Sequence, residues 1–170
     1  MAHRPGATGN YESPIIGGRI YLEVNGPDDR KDFTDEIDLI IARLKIDPND
    51  LMNEAANHPS MFARLAVLSE EAASNARWAK RAAELARADL QGDLRKHYST
   101  SESKKPSEEA IKAEIERDDD VVAAVEYQLD SERTAGILKG LVASVRDRRE
   151  MIAEMMRDQR HEWKTSAGDD

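Results

Sequence analysis

Five cations fall on one edge of a long helical run: Arg77, Lys80, Arg81, Arg87 and Arg95. At about 100° per residue, with Arg77 set to zero, Arg95 lies at about 0°, Arg81 at about +40°, Lys80 at about −60° and Arg87 at about −80°. They share an arc of roughly 120°, a strip that can track a phosphate backbone. Lys96, His97, Tyr98, Lys104 and Lys105 continue it with more cations and one ring able to stack on a base. Glu70 and Glu84 intrude on the strip. The same pattern therefore also reads as a solvated face whose charges pair at three- and four-residue spacing. No comparable constellation exists for catalysis. His3, His58, His97 and His161 are scattered and none begins an HExxH pair. There is no phosphate-binding glycine loop and no GxSxG elbow. Asp118, Asp119 and Asp120 are adjacent, so on a helix they point in three directions and do not converge on one ion. The expectation is a protein that is not an enzyme and has no cofactor or metal.

Composition sets the background for that strip. The 170 residues are 35% charged and only 5% aromatic, so the core is thin and further burial is expected against other helices or other chains. The net charge of −9 argues against nucleic-acid binding on average, but it is unevenly distributed. Residues 1–59 carry six Lys/Arg against eleven Asp/Glu, residues 60–100 seven against five, and residues 101–170 twelve against eighteen. Only the middle segment is positive. No segment approaches the ~20 apolar residues needed to span a bilayer, and no membrane association is expected. The absence of cysteine removes disulfides and thiol catalysis and fits a cytoplasmic location.

The elements that must position the strip read as follows. Residues 1–33 form an irregular N-terminal extension, flexible or with a short strand in which Ile20, Leu22 and Val24 would share a face. Thr34 caps a first helix, with Asp35 and Glu36 in its first turn and Ile37, Ile40, Ile41 and Leu44 on its apolar face. Asp47 and Pro48 start a short helix that runs to Pro59. From Ser60 to Lys96, Leu65, Leu68, Ala72, Ala76, Ala79, Ala83, Ala86, Leu90 and Leu94 make a 3.5-type seam, beside the basic strip and not on it. Residues 34–98 thus form the helical region with the strip, and 99–106 a cationic loop. Ser107 then caps the acidic start of a helix or helices over 107–163, which if continuous would approach ~80 Å. Val122, Val125, Leu129, Ile137, Leu138, Leu141, Val145, Ile152, Met155 and Met156 line that segment and are expected to serve oligomerisation. Gly136 and Gly140, one turn apart, mark either a soft spot or a place where a second backbone packs closely. Residues 164–170 form a disordered tail.

The stretches "LKIDPNDLMNEAANH", the long basic helix ending "LRKHYST", and "GILKGLVASVRDRREMI" together resemble the UvsY-like recombination mediators of tailed phages. The resemblance runs from about Thr34 to Trp163 and rests on the order of these features. It implies an all-α fold of long antiparallel helices assembling into a ring, possibly a heptamer. It further implies binding of single-stranded DNA and help in loading the phage recombinase onto strands covered by single-strand-binding protein, in the host cell cytoplasm. On that pattern, Arg95 and Lys96 inherit the DNA-contacting role at the end of the long helix. The competing expectation is a helical scaffolding oligomer with no nucleic-acid role.

Overall fold

The seven-residue recurrence of apolar side chains produces one long helical hairpin. The computed structural model describes residues 15–16, 19–23, 30–100 and 106–166. In chain order these form β1 (Ile15–Ile16), β2 (Arg19–Glu23), β3 (Arg30–Asp32), α1 (Thr34–Ala42), α2 (Leu51–Thr100), α3 (Glu108–Ile115) and α4 (Asp119–Ser166). The readings made for residues 1–12, for Val24 and for Lys104 and Lys105 lie outside the described residues, as do 167–170 of the tail expected to be disordered, whereas residues 164–166 of that tail belong to α4.

On α2, Leu51, His58, Leu65, Ala72 and Ala79 recur every seven residues and are buried. On α4, Ala124, Leu138, Val145 and Ile152 do the same, with Ser131 completing the series. Two such stripes stay in register when the helices supercoil, and the pairing of Pro48 with Gln159, Glu54 with Arg148 and His58 with Val145 makes the packing antiparallel. Leu65, Leu68, Leu138 and Val145 have no exposed surface, so each contributes on the order of 1.5–3 kcal/mol of burial. Ala72 belongs to the same core, and Ala79, Ala83 and Ala124 are buried farther along, where small residues let the helices approach but bury little each.

The main core is extended at one side by Leu22, Phe33, Ile37 and Ile40, with Ile20 packed against it. The three strands form an antiparallel sheet in the order β1-β2-β3, with Tyr21 opposite Asp32 and Leu22 opposite Lys31. The Phe33 amide donates to the Ile20 carbonyl and the Ile20 amide to Thr34 Oγ1, which seats β2 on the start of α1. Arg64 of α2 clamps Glu36 with two hydrogen bonds and lies 5.6 Å from the Phe33 ring centroid.

Several local expectations are corrected. Thr34 does not cap α1: Phe33 holds that position without a side-chain bond, because the Thr34 hydroxyl accepts from Ile20 and donates to Asp32. Pro59 does not end a helix either, and α2 runs through it from Leu51 for 50 residues, a length of ~75 Å. A proline there removes one backbone bond and costs ~3 kcal/mol in an isolated helix. The proline is itself exposed, while Leu51, His58, Met61 and Leu65 on both sides are held against α4. Tertiary packing therefore carries the helix past it. The 107–163 segment is two helices. Ser107 Oγ accepts from the Ala110 amide at the start of α3, and the chain turns at 116–118. Asp118 Oδ1 accepts from the amides of Asp120 and Val121, so it is the N-cap of α4, and Asp119 and Asp120 follow in the first turn.

The apolar residues assigned to oligomerisation divide in the same way. Leu138, Val145 and Ile152 are buried in the chain's own hairpin and present no surface to a second copy. Leu141 packs on the same core and Val125 on a second cluster with α3. Met155 and Met156 are half-buried. Val122, Leu129 and Ile137 remain exposed.

Candidate nucleic-acid interface

The basic strip lies on α2, and the seam decides which way it faces. Because Ala72, Ala79 and Ala83 are turned to α4, Arg77, Lys80 and Arg81 are exposed. None of these three makes an ion pair with the described residues. Trp78 stands among them with 69% of its surface exposed. Sequence reasoning missed this residue. The signal was available: Trp78 lies at about +100° on the wheel, far from the seam near −140°, so its ring cannot reach the core. Lys96 falls at about the same angle as Trp78, roughly five turns farther on, and is exposed and unpaired among the described residues.

The other side of the strip is answered by acid. Helix α3 packs on the far end of α2 through Ile111 and Ile115, which meet Ala86, Leu90, Leu94 and Tyr98. That seating brings a glutamate row along one edge of the strip. Arg95 Nη2 donates to Glu108 at 3.1 Å, and Tyr98 Oη donates to Glu114 at 2.9 Å. Donation to a carboxylate holds the Tyr98 hydroxyl above the ordinary phenol range. Arg87 lines a cleft together with Glu84, Glu108, Glu109, Lys112 and Glu116.

The structure therefore divides the sequence-derived set. Arg77, Lys80, Arg81 and Lys96 form an open edge with Trp78 between them. Arg87, Arg95 and Tyr98 face the carboxylates of α3. An open edge of this kind supplies sequence-independent attraction for phosphates and one surface on which a base can stack. Among the described residues no helix is long and apolar enough to cross a membrane.

No protein-family model and no curated protein matches the sequence. The fold is similar to that of the bacteriophage T4 recombination mediator protein UvsY in its crystal structure, with a TM-score of 0.59. The match covers 75% of this chain and 95% of that chain at 15% sequence identity. This chain thus has a UvsY-like fold.

Proposed function

We propose that this protein is a recombination mediator: a non-enzymatic, homo-oligomeric accessory protein that binds single-stranded DNA and helps load a recombinase onto strands covered by single-strand-binding protein. One observation carries the reading: on a UvsY-like fold, an exposed tryptophan stands among unpaired cations on the positive segment of an acidic chain. Phosphates run along Arg77, Lys80, Arg81 and Lys96, and a base stacks on Trp78. Each subunit alone offers few contacts. A ring, of seven copies on the pattern of the resemblance, repeats the edge and raises the effective concentration along one strand. The setting is the cytoplasm of a phage-infected host cell.

Fluorescence anisotropy with a labelled oligonucleotide tests the assignment. The charge-reversed variant R77E/R81E/K96E should lose binding at ~50 mM salt, where electrostatic attraction is strong. Unchanged affinity would remove this edge from the interface. The scaffolding reading draws support from the carboxylates opposite Arg87 and Arg95, and it requires that the wild-type protein retain no oligonucleotide under the same conditions.

A further inference from the structure

At the other end of α2 the hairpin holds a polar layer for which DNA contact along the open edge has no use. Arg148 of α4 is only 4% exposed, in a seam made mostly of Leu, Ile, Val and Ala. Its Nη2 donates to Glu54, and its Nε–H has no acceptor among the described residues. One turn from Glu54, the buried ring of His58 bonds through Nε2 to the Val145 carbonyl at 2.8 Å. Since a carbonyl only accepts, Nε2 carries the hydrogen. A cavity of about 380 Å³ opens in front of this layer. Its rim is formed by Arg43 and Lys45 from the connection between α1 and α2, and its wall by Asn53 and Asn57.

The charges in this cavity do not cancel. Arg43, Lys45 and Arg148 contribute three positive charges against the single carboxylate of Glu54, a surplus of two. Arg43 and Lys45 make no ion pair with the described residues. The Glu54 carboxylate is already engaged on both oxygens, with the Asp47 amide on one at 3.1 Å and Arg148 on the other. It therefore competes weakly for the rim cations. Asn57 Nδ2 donates to Asn53 Oδ1 at 2.8 Å, which fixes the Asn53 amide so that its Nδ2 is the end left to donate. The cavity thus combines the unpartnered Nε–H of Arg148, a surplus of two positive charges and room for a small polyatomic anion.

We propose that this cavity is a binding site for a phosphate dianion, held by Arg43, Lys45 and Asn53 in front of Arg148. A phosphomonoester carries about 1.5 to 2 negative charges at neutral pH, and inorganic phosphate releases its second proton near neutrality, whereas a diester inside a strand carries one. The surplus fits the dianion. Two sources share this chemistry: free phosphate and the terminal phosphate of a nucleic-acid strand.

Thermal unfolding in inorganic phosphate, against chloride at equal ionic strength, tests the site. Phosphate should raise the Tm of the full-length protein. R43A/K45A should abolish that rise while melting as wild type in chloride, because both residues are exposed. A rise that survives in R43A/K45A overturns the proposal, as does no rise at all. A second arm compares 5′-phosphorylated with 5′-hydroxyl oligonucleotides. Preference for the phosphorylated strand by about tenfold, lost in R43A/K45A, identifies a strand terminus as the source. Equal binding of the two strands beside an intact Tm response identifies free phosphate. Failure of any oligonucleotide to bind would sink the mediator reading, and the inorganic-phosphate arm would still decide the cavity.

Discussion

An indole on a helix surface forgoes much of the 150–250 Å² of burial that a tryptophan can offer, on the order of a few kcal/mol at ~25 cal/mol per Å². Trp78 does so between Arg77 and Lys80, with Val67 and Leu85 exposed on the same line of α2. Replacing it by alanine is expected to change folding stability by no more than ~0.5 kcal/mol in a urea melt, since the ring has little packing to lose. The same variant should weaken single-stranded DNA binding by ~1–3 kcal/mol, the contribution of one stacked base, measured by anisotropy. Wild-type affinity for Trp78→Ala would leave the cations as a solvated edge. Glu54 behaves oppositely, because its role is inside the fold. The Asp47 amide first, and Arg148 second, hold its carboxyl below the ordinary value of 4.5. A carboxyl with a lowered folded-state pKa adds stability that is complete above the unfolded-state value and is lost as pH falls through the folded one. Denaturant melts of wild type should therefore weaken as the pH is lowered from above 4.5. A Glu54→Leu variant, which lacks this group, should lose less over the same interval. At neutral pH, Glu54→Leu should cost ~3–5 kcal/mol by leaving Arg148 buried without its partner. Glu54→Leu combined with Arg148→Met should recover most of that loss.

At the scale of elements, the seam on α2 is legible because its period is a local property: Leu65, Leu68, Ala72, Ala79 and Ala83 keep one helical face, and all are buried. The ends of the elements were less legible. Pro59 reads as a stop because the sequence displays its missing amide and not the packing on α4 that outweighs it. Asp118 reads as one of three solvated acids, although an aspartate before a helix is an N-cap as readily as a ligand. The strip of cations was visible by angle alone, but the acids that meet half of it come from α3, and which edge α3 covers is a tertiary outcome. The stripe on α4 was read as one surface where the hairpin uses one side of it for itself. The placement of α3 yields a prediction of its own. Its glutamates hold Arg95 and Tyr98 on the solvent side, where such pairs add little to stability. In E108Q/E114Q the fold should persist by circular dichroism and thermal melting. Removing two negative charges from the edge should raise oligonucleotide affinity at low salt and make no difference at high salt, where those charges are screened. Equal affinity of variant and wild type at low salt would show that the strand does not pass near α3.

The whole molecule raises the question of how a chain of net charge −9 would hold a polyanion, and repetition of a small positive edge is the answer the fold permits. A second face of α4 is available for assembly. Val122, Leu129, Gly136, Gly140 and Met151 fall within an arc of roughly 60° on the side opposite Leu138 and Val145, and all are exposed. A β-carbon built on Gly136 or Gly140 meets nothing within 4 Å, so neither glycine is required by the single chain. Alanine at these positions should therefore stabilise an isolated hairpin, by ~1 kcal/mol for each residue through helix propensity. If the glycines admit a second backbone, larger side chains should do the reverse to the assembly. G136L/G140L is expected to keep the helical content and the melting cooperativity of the hairpin while its mass in sedimentation velocity falls toward 19.0 kDa. For single strands, the slope of log affinity on log salt is about −0.7 per phosphate neutralised. A dissociated protein should then show both weaker binding and a shallower slope, because one subunit engages fewer phosphates than an assembly of several would. An unchanged mass would move the interface elsewhere, to the line of Val67, Trp78 and Leu85 on α2. There, assembly and base stacking would compete for the same tryptophan, and Trp78→Ala would alter mass and affinity together.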